Sequence, residues 1–297
     1  MKTKILFIIN PTAGVKSKKK SDQYIEKYID KSKFDYEFAF TEWAGHATII
    51  ARDAVANKFD AIVAIGGDGT IREVAKSMLN TNVALGIIPG GSGNGFADHF
   101  HIPKKYEEAM AVINQFNCIN VDTGSVNDEI FTHASGVGFD AQVSQQFHEN
   151  MVRGLLSYIK VALFEYVHYT SQKYTLEFDG KSVTVKAFLI AFANVREYGN
   201  GFSISPEASA TDGLIDIVIG KTFLPIAVPG ILYKSQRHIL QTSKYIEIIR
   251  TKEVRIIRDS KDPVQFDGDS RIMDTELIVK VNPLSLKLIV PDISGKY

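Results

Sequence analysis

The sequence predicts two domains of different class: an α/β domain on a doubly wound parallel sheet, followed by a mainly antiparallel β domain. Three observations carry this reading. Up to about residue 122, short Ile/Val-rich runs alternate with amphipathic segments, and three of the runs end in turns of glycine or other small residues. Beyond Thr123 the alternation gives way to strand-type runs separated by Asp-Gly turns. At 297 residues the chain is long enough for two cores.

Lys4 to Ile9 reads as a first buried strand running into Asn10-Pro11-Thr12-Ala13-Gly14. The run Lys16-Ser17-Lys18-Lys19-Lys20 follows, read as a solvated helix start with phosphate neutralisation as the alternative. Tyr24, Ile25, Tyr28 and Ile29 have the i, i+3, i+4 spacing of an amphipathic helix. A strand around Tyr36–Phe40, then Thr41, and a helix from about Ala44 to Asn57 lead to Ala61-Ile62-Val63-Ala64-Ile65. Five apolar residues in a row read as a buried parallel strand, and Gly66-Gly67 then turn the backbone into a helix N-terminus. Such an end binds anions, because its first N–H groups have no partner within the helix and the helix dipole is positive there. Asp68 lies in that turn, and a carboxylate beside a phosphate calls for a bridging magnesium ion. A purely structural Gly-Asp-Gly turn is the competing reading. The theme recurs at Asn82–Ile88, a strand followed by Pro89-Gly90-Gly91-Ser92-Gly93-Asn94-Gly95. Three such loops at strand C-termini converge on one crevice in a doubly wound sheet. A helix over Tyr106–Phe116 and a strand over Cys118–Asp122 complete the first domain.

In the second domain, Ser182–Ala193, Leu214–Ile219, Tyr245–Ile249, Glu253–Ile257 and Ser285–Val290 read as strands, with a helix from Gly154 to Tyr169. Phe223–Tyr233 is apolar and flanked by Lys221, Lys234, Arg237 and His238. It reads as a buried segment leading into a basic exposed helix, with contact to anionic lipid as the alternative.

Lys plus Arg and Asp plus Glu are equal at 34 each, so no net basic field points towards nucleic acid. A single cysteine, Cys118, read as a core residue, excludes an internal disulfide and a cysteine-rich zinc site, and fits a reducing cytoplasm. No apolar run reaches the length of a membrane span, so the expected location is cytoplasmic, with peripheral contact at the inner membrane face.

Three Asp-Gly pairs occur in the second domain, and Asp-Gly between strand-like runs is a strong hairpin signal. Asp179-Gly180 is read as only that. Asp267-Gly268-Asp269 also sets two carboxylates two residues apart, a candidate base for a hydroxyl. Asp212 and Asp216, in Thr211–Asp216, could serve a hard cation together with turn carbonyls. For both, the residues alone favour plain turns.

Asn10–Gly14, Gly66–Thr70, Pro89–Asn94, Gly136-Val137-Gly138-Phe139-Asp140-Ala141, Asp212–Asp216 and Asp267–Asp269 together resemble, in order and spacing, the diacylglycerol kinase catalytic family, which includes bacterial lipid kinases and sphingosine kinases. The resemblance implies a phosphofructokinase-like nucleotide-binding α/β domain over 1–122, a β-sandwich lipid-substrate domain over 123–282, and a tail, 283–297, returning to the first domain. It implies ATP contacts from Asn10, Pro11, Thr12, Ala13, Gly14 and Thr41, from Gly67, Asp68, Gly69, Thr70, Ile71, Arg72 and Glu73, and from Ser92. It implies a structural Mg²⁺ site at the Asp212 side chain with main-chain oxygens of Ser209 and Leu214, and a nucleotide-bound Mg²⁺ at Asp68. The family's proton acceptor is the acid after Asp-Gly, usually Glu; here it is Asp269, with Asp267 as the alternative. Gly95 stands where many diacylglycerol kinases have Asp, and Gly-Ser-Gly-Asn is closer to the sphingosine kinase form.

The implied function is transfer of the γ-phosphate of ATP to a hydroxyl of a membrane lipid, diacylglycerol-like or sphingoid. An NAD kinase-like enzyme is the nearest rival, sharing the Gly-Gly-Asp-Gly loop, but no Asn-Glu dipeptide for a substrate ribose occurs here. A non-catalytic ATP- or lipid-binding module is the other. Protein kinase and P-loop signatures are absent.

Overall fold

Strands covered on both faces can carry uninterrupted apolar runs, and Ala61 to Ile65 are all fully buried. The computed structural model describes residues 2–13, 21–149, 155–199 and 201–292. Gly14, the Lys16–Lys20 run, Gly154 and the tail from Ile293 lie outside them. The chain divides into two compact units, residues 1–121 with 284–297, and residues 122–283.

In the first unit the order is β1 (Thr3–Ile9), α1 (Ser21–Tyr28), β2 (Phe34–Phe40), α2 (His46–Ala56), β3 (Ala61–Gly66), α3 (Asp68–Lys76), β4 (Ala84–Pro89), α4 (Gly95–His99) and α5 (Tyr106–Gln115). The sheet runs β2-β1-β3-β4 with every pairing parallel. Helices α1 and α5 cover one face, where Ile25, Met110 and Ile113 pack with Phe7, Val63, Ile65 and Ile88. Strand residues of the other parity, Ile8, Ile62 and Ala64, are equally buried. Helices α2 and α3 pack on each other and on β1 and β3. The strand order reverses direction between β1 and β3, the switch point at which ligands bind in open α/β sheets. Asp68 is the first residue of α3 rather than part of the preceding turn, and Gly67 is its extended N-cap.

The second unit contains β5 (Cys118–Val126, begun in the first), β6 (Glu129–Phe131), β7 (Ala134–Gly138), α6 (Phe139–Glu149), α7 (Leu155–His168), β8 (Gln172–Phe178), β9 (Lys181–Ala187) and β10 (Leu189–Ala193). A two-stranded ribbon, β11 (Glu197–Gly199) with β12 (Phe202–Ser203), leads to β13 (Ile215–Gly220) and α8 (Val228–Gln236). Four further strands, β14 (Ile246–Thr251), β15 (Glu253–Arg258), β16 (Asp262–Phe266) and β17 (Asp269–Met273), precede the long β18 (Glu276–Ile289), whose last residues belong to the first unit. One antiparallel sheet has the order β14-β13-β10-β7-β16-β17. The other pairs β18 with β15, β15 with β8 and β8 with β9. Their inner faces share one core, with Val137, Ile190, Phe192, Ile217 and Phe266 from the first sheet and Tyr174, Leu176, Val254, Ile256 and Leu277 from the second. An α/β domain with a parallel sheet is thus followed by an antiparallel β-sandwich.

Two expectations about the second unit change and one stands. Ser182–Ala193 is not one strand: it breaks at Phe188, whose N–H donates to Gly220 O at 2.7 Å, and passes from one sheet to the other. The signal was the change from the exposed alternating half to the buried continuous half. Asp179-Gly180 is the β8–β9 hairpin turn, with φ of 48° and 72°, as the sequence indicated. Phe223–Tyr233 is not buried, since α8 buries only Ser235 and Ile226 is 88% exposed.

Candidate active site

The three small-residue loops of the first unit meet at the C-terminal ends of its strands, held by main-chain bonds. Asn10 N–H donates to Ile65 O (2.9 Å), Gly90 N–H to Gly66 O (2.7 Å), and Thr41 N–H to Ile9 O (2.9 Å). Asn10 reaches across as well, its amide donating to Thr70 Oγ1 at 3.0 Å while its oxygen accepts from Thr12 N–H and Oγ1. Gly67 and Gly91 pack backbone on backbone: a Cβ added at Gly91 would fall 2.5 Å from the Gly67 Cα. Asn94, in the left-handed conformation (φ 62°), ties its own loop, accepting from Gly91 N–H at 2.8 Å and donating to Gly91 O at 2.9 Å.

The Asp68 carboxylate spans two loops, accepting from Asn94 N–H (2.8 Å) and Phe96 N–H (3.4 Å). Both of its oxygens hold loop backbone, one of these bonds each, so the carboxylate ties the loop and keeps acceptor capacity beyond these two bonds. Glu73 accepts from Gly45 N–H (2.8 Å) and Ala47 N–H (3.2 Å), satisfying the start of α2 beside Thr41. Ile71 and Arg72 are buried, whereas Thr12 and Ser92 are exposed and Pro11, Ala13, Thr41 and Gly69 are half-buried.

In the second unit the turn Asp267-Gly268 joins β16 to β17, with φ of 50° and 92°. It is a hairpin turn whose first acid also holds a segment distant in the chain. The Asp267 side chain is fully buried and accepts four hydrogen bonds from the segment leading into the first residue of β7, namely from Thr132 N–H (2.8 Å), Thr132 Oγ1 (3.0 Å), His133 N–H (2.9 Å) and Ala134 N–H (3.2 Å). His133 Nδ1 also lies 2.8 Å from its Oδ1. Asp269 begins β17 and is half-buried, so of the two acids it alone is presented towards solvent. Behind the turn, Gln265 accepts from Gly268 N–H at 3.1 Å and donates to Asp140 Oδ2 (3.3 Å) and Tyr198 Oη (3.0 Å). Tyr198 closes the triangle by donating to Asp140. Burial pushes the Asp140 carboxyl up to about 6 against the lowering effect of these donors. Gly136 belongs to this packing, since a Cβ there would meet Asp140 Oδ2 at 3.0 Å.

At the third acidic turn, Asp212 is exposed and accepts from Leu214 N–H at 3.0 Å through Oδ1. The buried Asp122 accepts from Gly213 N–H at 2.8 Å. Asp216 is spent on protein partners, Ser205 Oγ at 2.5 Å and Arg250 Nε at 3.1 Å, so the sequence's pairing of Asp212 with Asp216 around a cation does not hold. Burial raises the Asp216 carboxyl above its ordinary range. Among the described residues no cluster of three or more His, Cys, Asp or Glu could hold a metal. One carboxylate with carbonyl oxygens nevertheless suits Mg²⁺, which keeps several of its waters.

Residues 4–126 match the model of the diacylglycerol kinase catalytic domain, and residues 134–290 that of the YegS C-terminal NAD kinase beta sandwich-like domain. The chain belongs to the diacylglycerol kinase catalytic family. A diacylglycerol kinase of Bacillus subtilis is 26% identical over 88% of this chain and 88% of its own length. A diacylglycerol kinase of Mycobacterium tuberculosis is 31% identical over 57% of each chain. The solved structure of a diacylglycerol kinase from Bacillus anthracis superposes with a TM-score of 0.74 at 21% identity, covering 97% of both chains, which shows the shared fold. By family this chain is an enzyme, a lipid kinase.

Within the family frame, several site residues carried no sequence signal. Thr132 and His133 become visible only when β6 and β7 bring them under Asp267, and Gln265 and Tyr198 only through Asp140. Asp140 could have been found, since it closes the Gly136–Ala141 motif.

Proposed function

We propose that this kinase transfers the γ-phosphate of ATP to the hydroxyl of a membrane lipid, diacylglycerol-like or sphingoid, with the first unit binding the nucleotide and the second supplying the proton acceptor. The observation that carries the reading is the contrast at one turn: Asp267 has both carboxylate oxygens committed to buried donors, while Asp269, two residues on, is half-exposed. The first acid shapes the turn and the second is placed to act.

In the first unit, the Asn10–Ala13, Gly67–Glu73 and Gly91–Asn94 stretches cradle the phosphates. First-turn N–H groups of α3 have no intrahelical acceptor and point where negative charge is favoured. Asp68 and Asn94 fix the loop shape, and Glu73 fixes the stretch after Thr41 that flanks the nucleotide. Phosphoryl transfer needs little covalent help, so positioning and neutralisation of charge carry the catalysis. The lipid oxygen bonds to the γ-phosphorus as the bond from that phosphorus to the β–γ bridging oxygen breaks. ADP leaves, and the hydroxyl proton passes to Asp269. Asp212, with main-chain oxygens of Ser209 and Leu214, would hold Mg²⁺, which supplies fixed positive charge at that turn.

The name of the sandwich model keeps NAD kinase as the second reading. Purified protein with Mg-ATP is offered diacylglycerol, sphingosine and phosphatidylglycerol in mixed micelles, and NAD in solution, and labelled phosphate is followed. Transfer to a lipid is expected. Transfer to NAD, or to no acceptor, overturns the proposal.

A further inference from the structure

Helices of globular proteins bury an apolar face, and α8 does not. Its only buried residue is Ser235, while Leu232 and Tyr233 are 46% and 59% exposed. The stretch leading into it is more exposed still, with Leu224 at 70% and Ile226 at 88%. Beside that stretch, α7 ends with Phe164 and Val167 exposed. The two segments are tied together: Tyr166 Oη donates to Phe223 O at 2.6 Å, and the Ser171 and Thr222 hydroxyls lie 2.6 Å apart.

These apolar tips stand on a rigid base. The rings of Tyr166 and Phe223 are 5.7 Å apart, Phe223 packs on Phe188 at 5.1 Å and on Tyr245 at 6.0 Å, and Phe188 stacks on Phe139 at 4.5 Å. Leu224 and Ile226 are therefore held outward by neighbours that cannot fold back over them. From Lys221 to Ile246 the chain has Lys221, Lys234, Arg237 and Lys244 and no Asp or Glu. The nearby acids are Glu247, which pairs with Lys221 at 3.3 Å, Glu197, 3.8 Å from His238, and Glu165 on α7.

We infer that this face docks on an anionic lipid bilayer, with Leu224 and Ile226 entering the head-group boundary and Lys234, Arg237 and Lys244 meeting lipid phosphates. Protruding apolar tips ringed by cations are what a charged interface accepts without a matching groove. A second copy of the chain would bring the same cations against one another across a twofold contact, with no acid in the segment to answer them. The inference rests on the lipid-kinase reading and adds the surface and the head-group charge to it.

The full chain is sedimented with vesicles of phosphatidylcholine, and with vesicles in which part of it is replaced by phosphatidylglycerol. Binding is expected only to the anionic vesicles, weakening with salt. L224S/I226S should lower it by roughly a hundredfold, each lost side chain being worth about tenfold. R237E/K244E should lower it by about tenfold to a hundredfold. All these side chains are exposed, so both variants should melt as the parent does and phosphorylate a short-chain, water-soluble diacylglycerol at the parental rate. Binding to neutral vesicles as tight as to anionic ones, no binding at all, unchanged binding by either variant, or a dimer that L224S/I226S converts to monomer overturns the inference. Vesicle binding without phosphate transfer to any lipid would sink the kinase reading and leave the docking face standing.

Discussion

Replacing Asp267 with Asn separates shaping the site from taking the proton. The carboxylate accepts two hydrogen bonds on each oxygen, all from the Thr132–Ala134 segment, in a fully buried setting. An amide keeps one accepting oxygen and turns an NH₂ group towards two of those donors. Hydrogen bonds to a buried charged group contribute about 1.5–3 kcal/mol each, so losing two costs roughly 3–6 kcal/mol. That is a large share of a typical domain stability of about 5–15 kcal/mol. At about 2–4 °C per kcal/mol for a unit of this size, the melting transition should fall by roughly 10 °C. Scanning calorimetry reads the transition, and lipid phosphorylation well below it reads the folded enzyme, which should retain far more activity than an Asp269 variant. Unchanged melting with phosphorylation abolished would refute the reasoning and make Asp267 the proton acceptor.

Asp140→Asn should change the pH dependence of stability. Burial raises the Asp140 carboxyl from 3.8 to about 6, so the folded protein keeps a proton that the unfolded chain releases. Its contribution is greatest below about pH 4, declines as pH rises to about 6 and is flat above. A shift of that size is worth about 3 kcal/mol at most. Denaturant titrations at several pH values should show that decline in the parent and not in the variant; parallel profiles would contradict it. Gly91→Ala puts a methyl group 2.5 Å from the Gly67 Cα, so the two loops must part. KM for ATP should rise by about tenfold or more as the N–H cradle is displaced, with KM for lipid unchanged. An unaltered KM for ATP would show that the loops do not carry the nucleotide.

The parallel sheet was legible because buried strands there are continuous apolar runs, such as Ala61–Ile65, and each ends at a glycine or small-residue turn. The sandwich was less so. Whether a β-branched run stays in one sheet depends on partners distant in the chain, and Ser182–Ala193 changes sheet at Phe188 through a bond to Gly220. In the site, Asn10, Asp68 and the Asp267–Asp269 turn could be picked out by residue type and spacing. What Asp68 and Glu73 hold could not, because the donors they accept from are backbone N–H groups distant in the chain. The exposure of Leu224 and Ile226 was hidden for the opposite reason: an apolar stretch reads as core until a structure shows nothing covering it.

The most direct test of the central claim is Asp269→Asn, assayed for transfer of the γ-phosphate of ATP to lipid alongside the melting temperature. Removing a positioned proton acceptor should lower kcat by about 10²–10⁴-fold. KM for ATP and the melting transition should hardly move, since Asp269 is half-exposed. Parental kcat in this variant would contradict the account.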